Sequence, residues 1–201
     1  GARHASGRSL LSLISQRDYV LQPGVARNEL PWVKSASEKP QGGCAQNLTP
    51  MPQSLSAVYI HLVFSTKERR PFLRDQTIRD KLHAQLGGIS KTLECPPLIV
   101  GGVEDHVHLL CRFGRTISQA EWVKELKRVS NGWLKEQSNE FADFEWQGGY
   151  ADFSVSQSNL EHVKRYIANQ EEHHQKMTFQ DELRAFLQKH EIEFDERYVW
   201  D

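Results

Sequence analysis

The residues best equipped for chemistry are Asp105-His106-Val107-His108-Leu109-Leu110, read together with Tyr166 and Gln170 further along the chain. On a strand, His106 and His108 project from one face, because side chains alternate with period two. Neutral imidazoles at that spacing can reach one divalent ion. On a helix, Tyr166 and Gln170 stand one turn apart on a shared face. Two imidazoles and an amide oxygen then form a metal site with a phenol beside it. A phenol next to a cation that grips phosphate is suited to covalent attack on a phosphodiester.

Each piece also has an ordinary reading. His-Val-His alone fits two partly exposed histidines at a strand edge, and an isolated Tyr on an amphipathic helix packs at the core boundary. Asp105 serves either as an orienting partner for an imidazole or as a turn residue. On the tyrosine helix, His162, Gln170 and His173 fall in line with Tyr166, beside a core stripe of Leu160, Val163 and Ile167. His173-His174 with Glu171 or Glu172 is a second metal-ligating candidate. Adjacent helical residues diverge by about 100°, so both histidines serve one ion poorly.

A cationic surface lies nearby. Arg112 and Arg115 precede a helix carrying Lys124, Lys127, Arg128 and Lys135, and Lys67, Arg69 and Arg70 follow the first strand. Such a row is a solvated face or a phosphate-contacting one, which would position DNA without reading bases. Trp146, in Trp146-Gln147-Gly148-Gly149-Tyr150, is either a base-stacking platform or a core residue beside a flexible turn.

The elements that must position these residues follow from periodicity. Ala57 to Ser65 is β-branched and aromatic, a buried strand. Asp75 caps a helix with Ile78, Leu82, Leu86, Ile89 and Leu93 on one side, ended by Pro96-Pro97. Leu98 to Val103 and His106 to Phe113 read as strands joined by a tight turn. Ser118 and Glu121 form a capping box for a second helix, with Trp122, Leu126, Val129 and Trp133 as its apolar face. Tyr150 to Val155 is a fourth strand. A second capping box, Ser158 and Glu161, opens the Tyr166 helix, and Thr178 caps a last one carrying Phe179, Leu183, Phe186 and Leu187. Strand-helix-strand-strand-helix-strand is the split βαβ order. It predicts an α+β, ferredoxin-like antiparallel sheet with helices on one face, plus C-terminal helices.

The 201 residues fit one domain plus an extension. Residues 1–54 are rich in Gly, Ser, Pro, Gln and Asn, without period, and read as a disordered or poorly ordered extension; Met51 reads as a natural start. Residues 55–201 form the domain. Residues 9–14 are too short an apolar patch for a signal peptide, and no run approaches the roughly 18 to 20 residues that span a bilayer. Cys44, Cys95 and Cys111 lack metal or disulfide spacing, so a cytoplasmic location is expected. The net charge of −1 hides an asymmetry. Residues 64–135 carry 13 Lys and Arg against 8 Asp and Glu, whereas residues 136–201 carry 6 against 15. The first block suits a polyanion, and the acidic block is expected to face away from it.

Four motifs occur in order: His61-Leu62-Val63-Phe64-Ser65-Thr66-Lys67, Asp105-His106-Val107-His108-Leu109-Leu110, Trp146-Gln147, and Tyr166-Ile167-Ala168-Asn169-Gln170. Together they resemble the single-tyrosine HUH transposases of small bacterial insertion sequences, the IS200-like group with its REP-associated relatives. The resemblance covers residues 57 to 201. It implies a ferredoxin-like fold, Mg²⁺ or Mn²⁺ held by His106, His108 and Gln170, and Tyr166 as the nucleophile. It further implies single-stranded DNA hairpins as substrate, a homodimer, a 5′-phosphotyrosine intermediate and no nucleotide cofactor or membrane. The same residues would serve a domesticated relative that binds and nicks hairpins without transposition. Two other classes compete. One is a metal-dependent hydrolase using His106, His108 and His173 without covalent chemistry; the other is an RNA-binding module on the same fold, whose aromatic-glycine motifs are lacking.

Overall fold

A computed structural model describes residues 55–200; the expected N-terminal extension and start at Met51 lie outside the described residues. Four strands, β1 (Tyr59–Ser65), β2 (Pro97–Gly102), β3 (His106–Arg112) and β4 (Ala151–Val155), form one sheet in the order β2-β3-β1-β4. Every neighbouring pair is antiparallel. Helices α1 (Gln76–Thr92) and α2 (Gln119–Gln137) fall between the strands as expected, and α3 (Leu160–Ala168), α4 (Gln170–His174) and α5 (Phe179–Lys189) follow β4. The fold is ferredoxin-like.

Alternation along the strands sorts the core into two sides. Ile60, Leu62, Phe64, Val107, Leu109 and Cys111 pack with Leu82 and Leu86 of α1 and with Trp122 and Leu126 of α2. On the opposite face, Leu110 meets Leu160, Val163 and Ile167 of α3, while Val63 and Phe153 meet Leu183 and Phe186 of α5. The helices between the strands therefore share one face, and the C-terminal helices cover the other. This explains why β1 and β3 are apolar almost throughout: both faces of the central strands are removed from water. The buried polar exceptions are His61, Ser65, His106 and His108, all on the α3–α5 side; Arg112, at the end of β3, is exposed.

Three helix starts behave as their sequences predict. Asp75, Ser118 and Thr178 accept hydrogen bonds from the backbone N–H groups of Ile78, Glu121 and Asp181. Each satisfies one of the donors that a helix N-terminus leaves orphaned. The expected Ser158–Glu161 box is absent. A 3₁₀ turn at Gln157–Asn159 leads into α3, Asn159 caps it without a side-chain bond, and the Ser158 hydroxyl pairs with Ser156. The tyrosine helix is also shorter than its periodicity suggests. It stops at Ala168, and Asn169 (φ −103°, ψ 24°) separates it from the short α4 that begins at Gln170.

Two glycines of β2 let these layers close. A Cβ on Gly101 would lie 2.7 Å from the Ile167 carbonyl oxygen, so α3 seats directly on the strand there. Gly102 has φ +148°, and a Cβ would lie 2.3 Å from the His106 carbonyl oxygen at the start of β3.

Candidate functional site

β3 is an internal strand, so the paired histidines are not at an edge. His106 and His108 are 0% exposed and face the C-terminal helices. Register sets their neighbours: Val63 lies opposite His108, and Ser65 opposite His106. Each imidazole is anchored through Nδ1. Asp105 Oδ1 lies 2.7 Å from His106 Nδ1, and His61 Nε2 lies 3.0 Å from His108 Nδ1. Both Nε2 atoms are thereby turned toward the same space, the arrangement expected of metal-binding histidines with orienting partners. Asp105 thus orients His106 in addition to forming the turn.

The C-terminal helices close that space. Gln170 is buried, with Oε1 2.9 Å from His174 Nε2 and 3.4 Å from His106 Nε2. Glu182, from α5, is 1% exposed. Its Oε1 accepts the Tyr166 hydroxyl and, at 3.3 Å, the Gln170 amide. Its Oε2 lies 3.7 Å from His108 Nε2, 3.8 Å from His106 Nε2 and 3.4 Å from His174 Nε2. His108 Nε2 and Glu182 Oε2 are buried without a hydrogen-bond partner. Orphaned polar atoms of this kind are costly, and a cation between them would satisfy both.

His106, His108, His174 and Glu182 each direct one donor atom into a cluster whose members all lie within 4.8 Å of one another. Adjacent helical residues diverge, and His173 and His174 divide accordingly. His174 faces Glu182 Oε2, whereas His173 faces Oε1 at 3.5 Å and sits edge-on to the Tyr166 ring. Glu171 points elsewhere and pairs with Arg79, and Glu172 pairs with Lys176.

Burial governs the electrostatics. It holds His108 well below the usual imidazole range, assisted by the other histidines, and lowers His174 to about 4. His61 falls to about 3 through burial, with His190 and Lys189 adding repulsion. Burial pushes Glu182 well above the carboxylate range, reinforced by Asp105. Neutral imidazoles are already in their ligating form, and a bound cation would favour ionised Glu182. The site fits a divalent metal.

Of these residues, the sequence reading brought forward His106, His108, Tyr166 and Gln170, and the structure assembles all four within one chain. It did not single out Glu182, and it gave His61 no separate role. Their signals were present: Glu182 interrupts the apolar stripe of Phe179, Leu183 and Phe186, and His61 interrupts a strand otherwise apolar. A buried polar group on a core face requires a partner.

The cationic surface is only partly what its sequence suggested. Lys127 is not a free phosphate contact: its ammonium donates to the carbonyls of Gln147, Gly148 and Gly149, and burial lowers it to about 8. Trp146 is not a stacking platform. It is 7% exposed, donates to Ser130 Oγ at 2.9 Å, and packs edge-on against Phe64 and Phe144. Six of the other cations make local contacts. Lys67 pairs with Glu145, Lys124 with Glu121 and Arg128 with Glu125. Arg112 donates to the Ser56 carbonyl, Arg70 lies over Phe72 and Arg69 lies 6.0 Å from the Trp200 ring.

An antiparallel ferredoxin-like sheet thus carries buried paired histidines, and a following helix brings a tyrosine beside them. The family model described as "Transposase IS200 like" matches residues 54–170, more than half of the chain. The chain belongs to the IS200-like transposase family. The match ends at Gln170, so His174 and Glu182 lie beyond it. Among solved structures, the chain is similar to a provisionally named transposase of Deinococcus radiodurans R1, with a TM-score of 0.45 and 23% identity over 60% of this chain and 95% of that one. It is also similar to a REP-associated tyrosine transposase bound to a REP hairpin, with a TM-score of 0.44 and 12% identity over 59% of this chain and 69% of that one. A search of curated proteins returned no match.

Proposed function

We propose that residues 55–201 form a single-stranded DNA transposase that cleaves and rejoins DNA through Tyr166, with hairpins as substrate and a homodimer as the working unit. The observation that carries this reading is the Tyr166 hydroxyl, held on Glu182 at the rim of a cluster of buried, inward-turned ligands. His106, His108 and Gln170 would hold Mg²⁺ or Mn²⁺. When bound, such an ion polarises a phosphate and stabilises charge developing on it. The chain's own groups do the rest. Glu182 Oε1 already accepts the Tyr166 proton, so the carboxylate is placed to take it as the phenol oxygen attacks phosphorus. The P–O3′ bond breaks, its electron pair leaves with the 3′ oxygen, and that oxygen takes up a proton to become a free 3′-hydroxyl. A 5′-phosphotyrosine remains and retains the energy of the broken ester. Rejoining then needs no nucleotide cofactor. Exposed Lys67, Arg70, Arg112, Lys124 and Arg128, with half-buried Arg69, are candidates for backbone contacts that make binding salt-dependent. Among the described residues no helix is long and apolar enough to cross a membrane.

Denaturing gels test the reading: 5′-labelled single-stranded hairpins are incubated with Mg²⁺ or Mn²⁺ and wild type, Tyr166→Phe or His106→Ala. The expected result is metal-dependent cleavage that both substitutions abolish. Cleavage that survives Tyr166→Phe would favour the non-covalent hydrolase. That second reading has its own support in His173, which faces Glu182 with an unpartnered Nε2.

A further inference from the structure

Resting on the proposed metal and tyrosine roles, we infer that the metal centre has five protein donors, with His174 and Glu182 added to His106, His108 and Gln170. This donor set selects a transition ion over Mg²⁺. All five atoms converge: His106 Nε2, His108 Nε2, His174 Nε2, Glu182 Oε2 and Gln170 Oε1. Glu182 Oε2 stands 3.4 to 3.8 Å from the three imidazole nitrogens, and Gln170 Oε1 stands 2.9 and 3.4 Å from two of them. In a six-coordinate site with bonds of about 2.1 Å, neighbouring donors lie about 3 Å apart and opposite ones about 4.2 Å. The observed separations, all within 4.8 Å for the four titratable ligands, need only a small contraction onto an ion. Five protein donors leave one of six positions open, enough for one phosphate oxygen.

The unpartnered atoms point the same way. His108 Nε2 and Glu182 Oε2 are buried, lack hydrogen-bond partners and face each other across 3.7 Å. Four of the five donors are also braced from behind: Asp105 holds His106, His61 holds His108, the Met177 carbonyl lies 2.9 Å from His174 Nδ1, and the Tyr166 hydroxyl holds the far oxygen of Glu182. Braced donors are a property of metal centres. The chemistry of the set then decides the ion. Mg²⁺ prefers oxygen ligands and retains several waters, which five protein donors and three nitrogens deny it. Imidazole binds later first-row ions more tightly, in the order Mn²⁺, Fe²⁺, Co²⁺, Ni²⁺.

The test uses the full chain and metal binding alone. Loss of the free Mn²⁺ EPR signal gives the affinity for MnCl₂ in wild type, His174→Ala, Glu182→Gln and His106→Ala, with folding checked by circular dichroism. His174→Ala and Glu182→Gln are each expected to weaken Mn²⁺ binding about 100-fold or more, since even orienting partners are worth 10- to 100-fold. A hundredfold excess of MgCl₂ should leave bound Mn²⁺ in place. Nitrogen couplings to Mn²⁺ in the wild-type protein provide a count that needs no variant: three imidazoles are expected. Two imidazoles, or wild-type affinity in both the His174 and Glu182 variants with loss only in His106→Ala, would overturn the five-donor centre and leave the family-type site intact. Wild-type affinity in His106→Ala as well would overturn both. Displacement by Mg²⁺ would overturn the selectivity.

Discussion

Replacing His61 by Phe isolates the contribution of the group behind His108. The imidazole at position 61 is 2% exposed and neutral at working pH, since burial lowers it to about 3. It shares one proton with His108 across 3.0 Å, so one nitrogen donates and the other accepts. With Nδ1 engaged, His108 presents Nε2 to the cluster. Phe fits the space, because the ring at 61 already lies 5.4 Å from Phe186 and 6.3 Å from Phe153. What Phe removes is the hydrogen bond, leaving a buried His108 Nδ1 without a partner. That orphaning costs about 1–3 kcal/mol. The greater apolar burial of Phe offsets on the order of 1 kcal/mol. The net loss is then about 0–2 kcal/mol, lowering Tm by roughly 8 °C at most for a domain of this size. Metal affinity falls further than stability. An unfixed His108 ring costs about 10- to 100-fold in binding, or about 1.4–2.8 kcal/mol. Urea unfolding and Mn²⁺ titration of His61→Phe and His61→Gln measure both effects. Gln places a carboxamide nitrogen near the original Nε2, so it should restore most of the affinity. Folded His61→Phe with wild-type Mn²⁺ affinity would refute the claim that this hydrogen bond orients His108.

Three further outcomes are expected. Gly101→Ala pushes a methyl against the Ile167 backbone and should cost about 1–3 kcal/mol in urea unfolding; an unchanged midpoint would show that α3 does not seat on β2. Metal-free protein should lose stability in acid from the histidine range downward. His61 titrates at about 3 in the fold and His83 and His174 at about 4, so the unfolded chain takes up their protons first as pH falls below about 6.5. Glu182, raised in the fold, is more stabilising at low pH and opposes this trend, but one carboxyl is outnumbered by three imidazoles. Tm measured in EDTA should therefore drop between pH 6.5 and 4.5, and a flat profile would contradict the burial of these rings. Trp146→Phe should lower stability by about 1–2 kcal/mol through the lost bond to Ser130 while leaving DNA affinity nearly unchanged; the reverse pattern would restore a stacking role.

The parts of this fold legible in the sequence are those set by local chemistry. Asp75, Ser118 and Thr178 announce helix starts because a short polar side chain can reach a nearby N–H, and that geometry is local. Period-two alternation placed His106 and His108 on one face for the same reason. What the sequence concealed is where the chain returns. Nothing near α5 says that Glu182 will dock against β3, and nothing near α3 says that the C-terminal helices cover the second face of the sheet. Ser158 illustrates the opposite failure: a sound local capping signal yields to a 3₁₀ turn as the chain leaves the sheet. Lys127 and Trp146 misled because their types suit nucleic acid, whereas what engages them, three loop carbonyls for Lys127 and Ser130 and Phe64 for Trp146, comes from other segments. The buried polar residues His61 and Glu182 were the overlooked clue. Each sits on an apolar stripe where only a partner elsewhere could compensate its burial.

The central claim is that Tyr166 becomes covalently joined to DNA, and intact-protein mass spectrometry addresses it most directly. Wild-type chain incubated with a cleavable single-stranded hairpin and Mn²⁺ should gain the mass of the 3′-side fragment. Peptide mapping should place that mass on Tyr166 through a 5′-phosphate, and Tyr166→Phe should show none. Cleaved DNA with an unmodified protein mass, or an adduct mapped to another residue, would contradict the account.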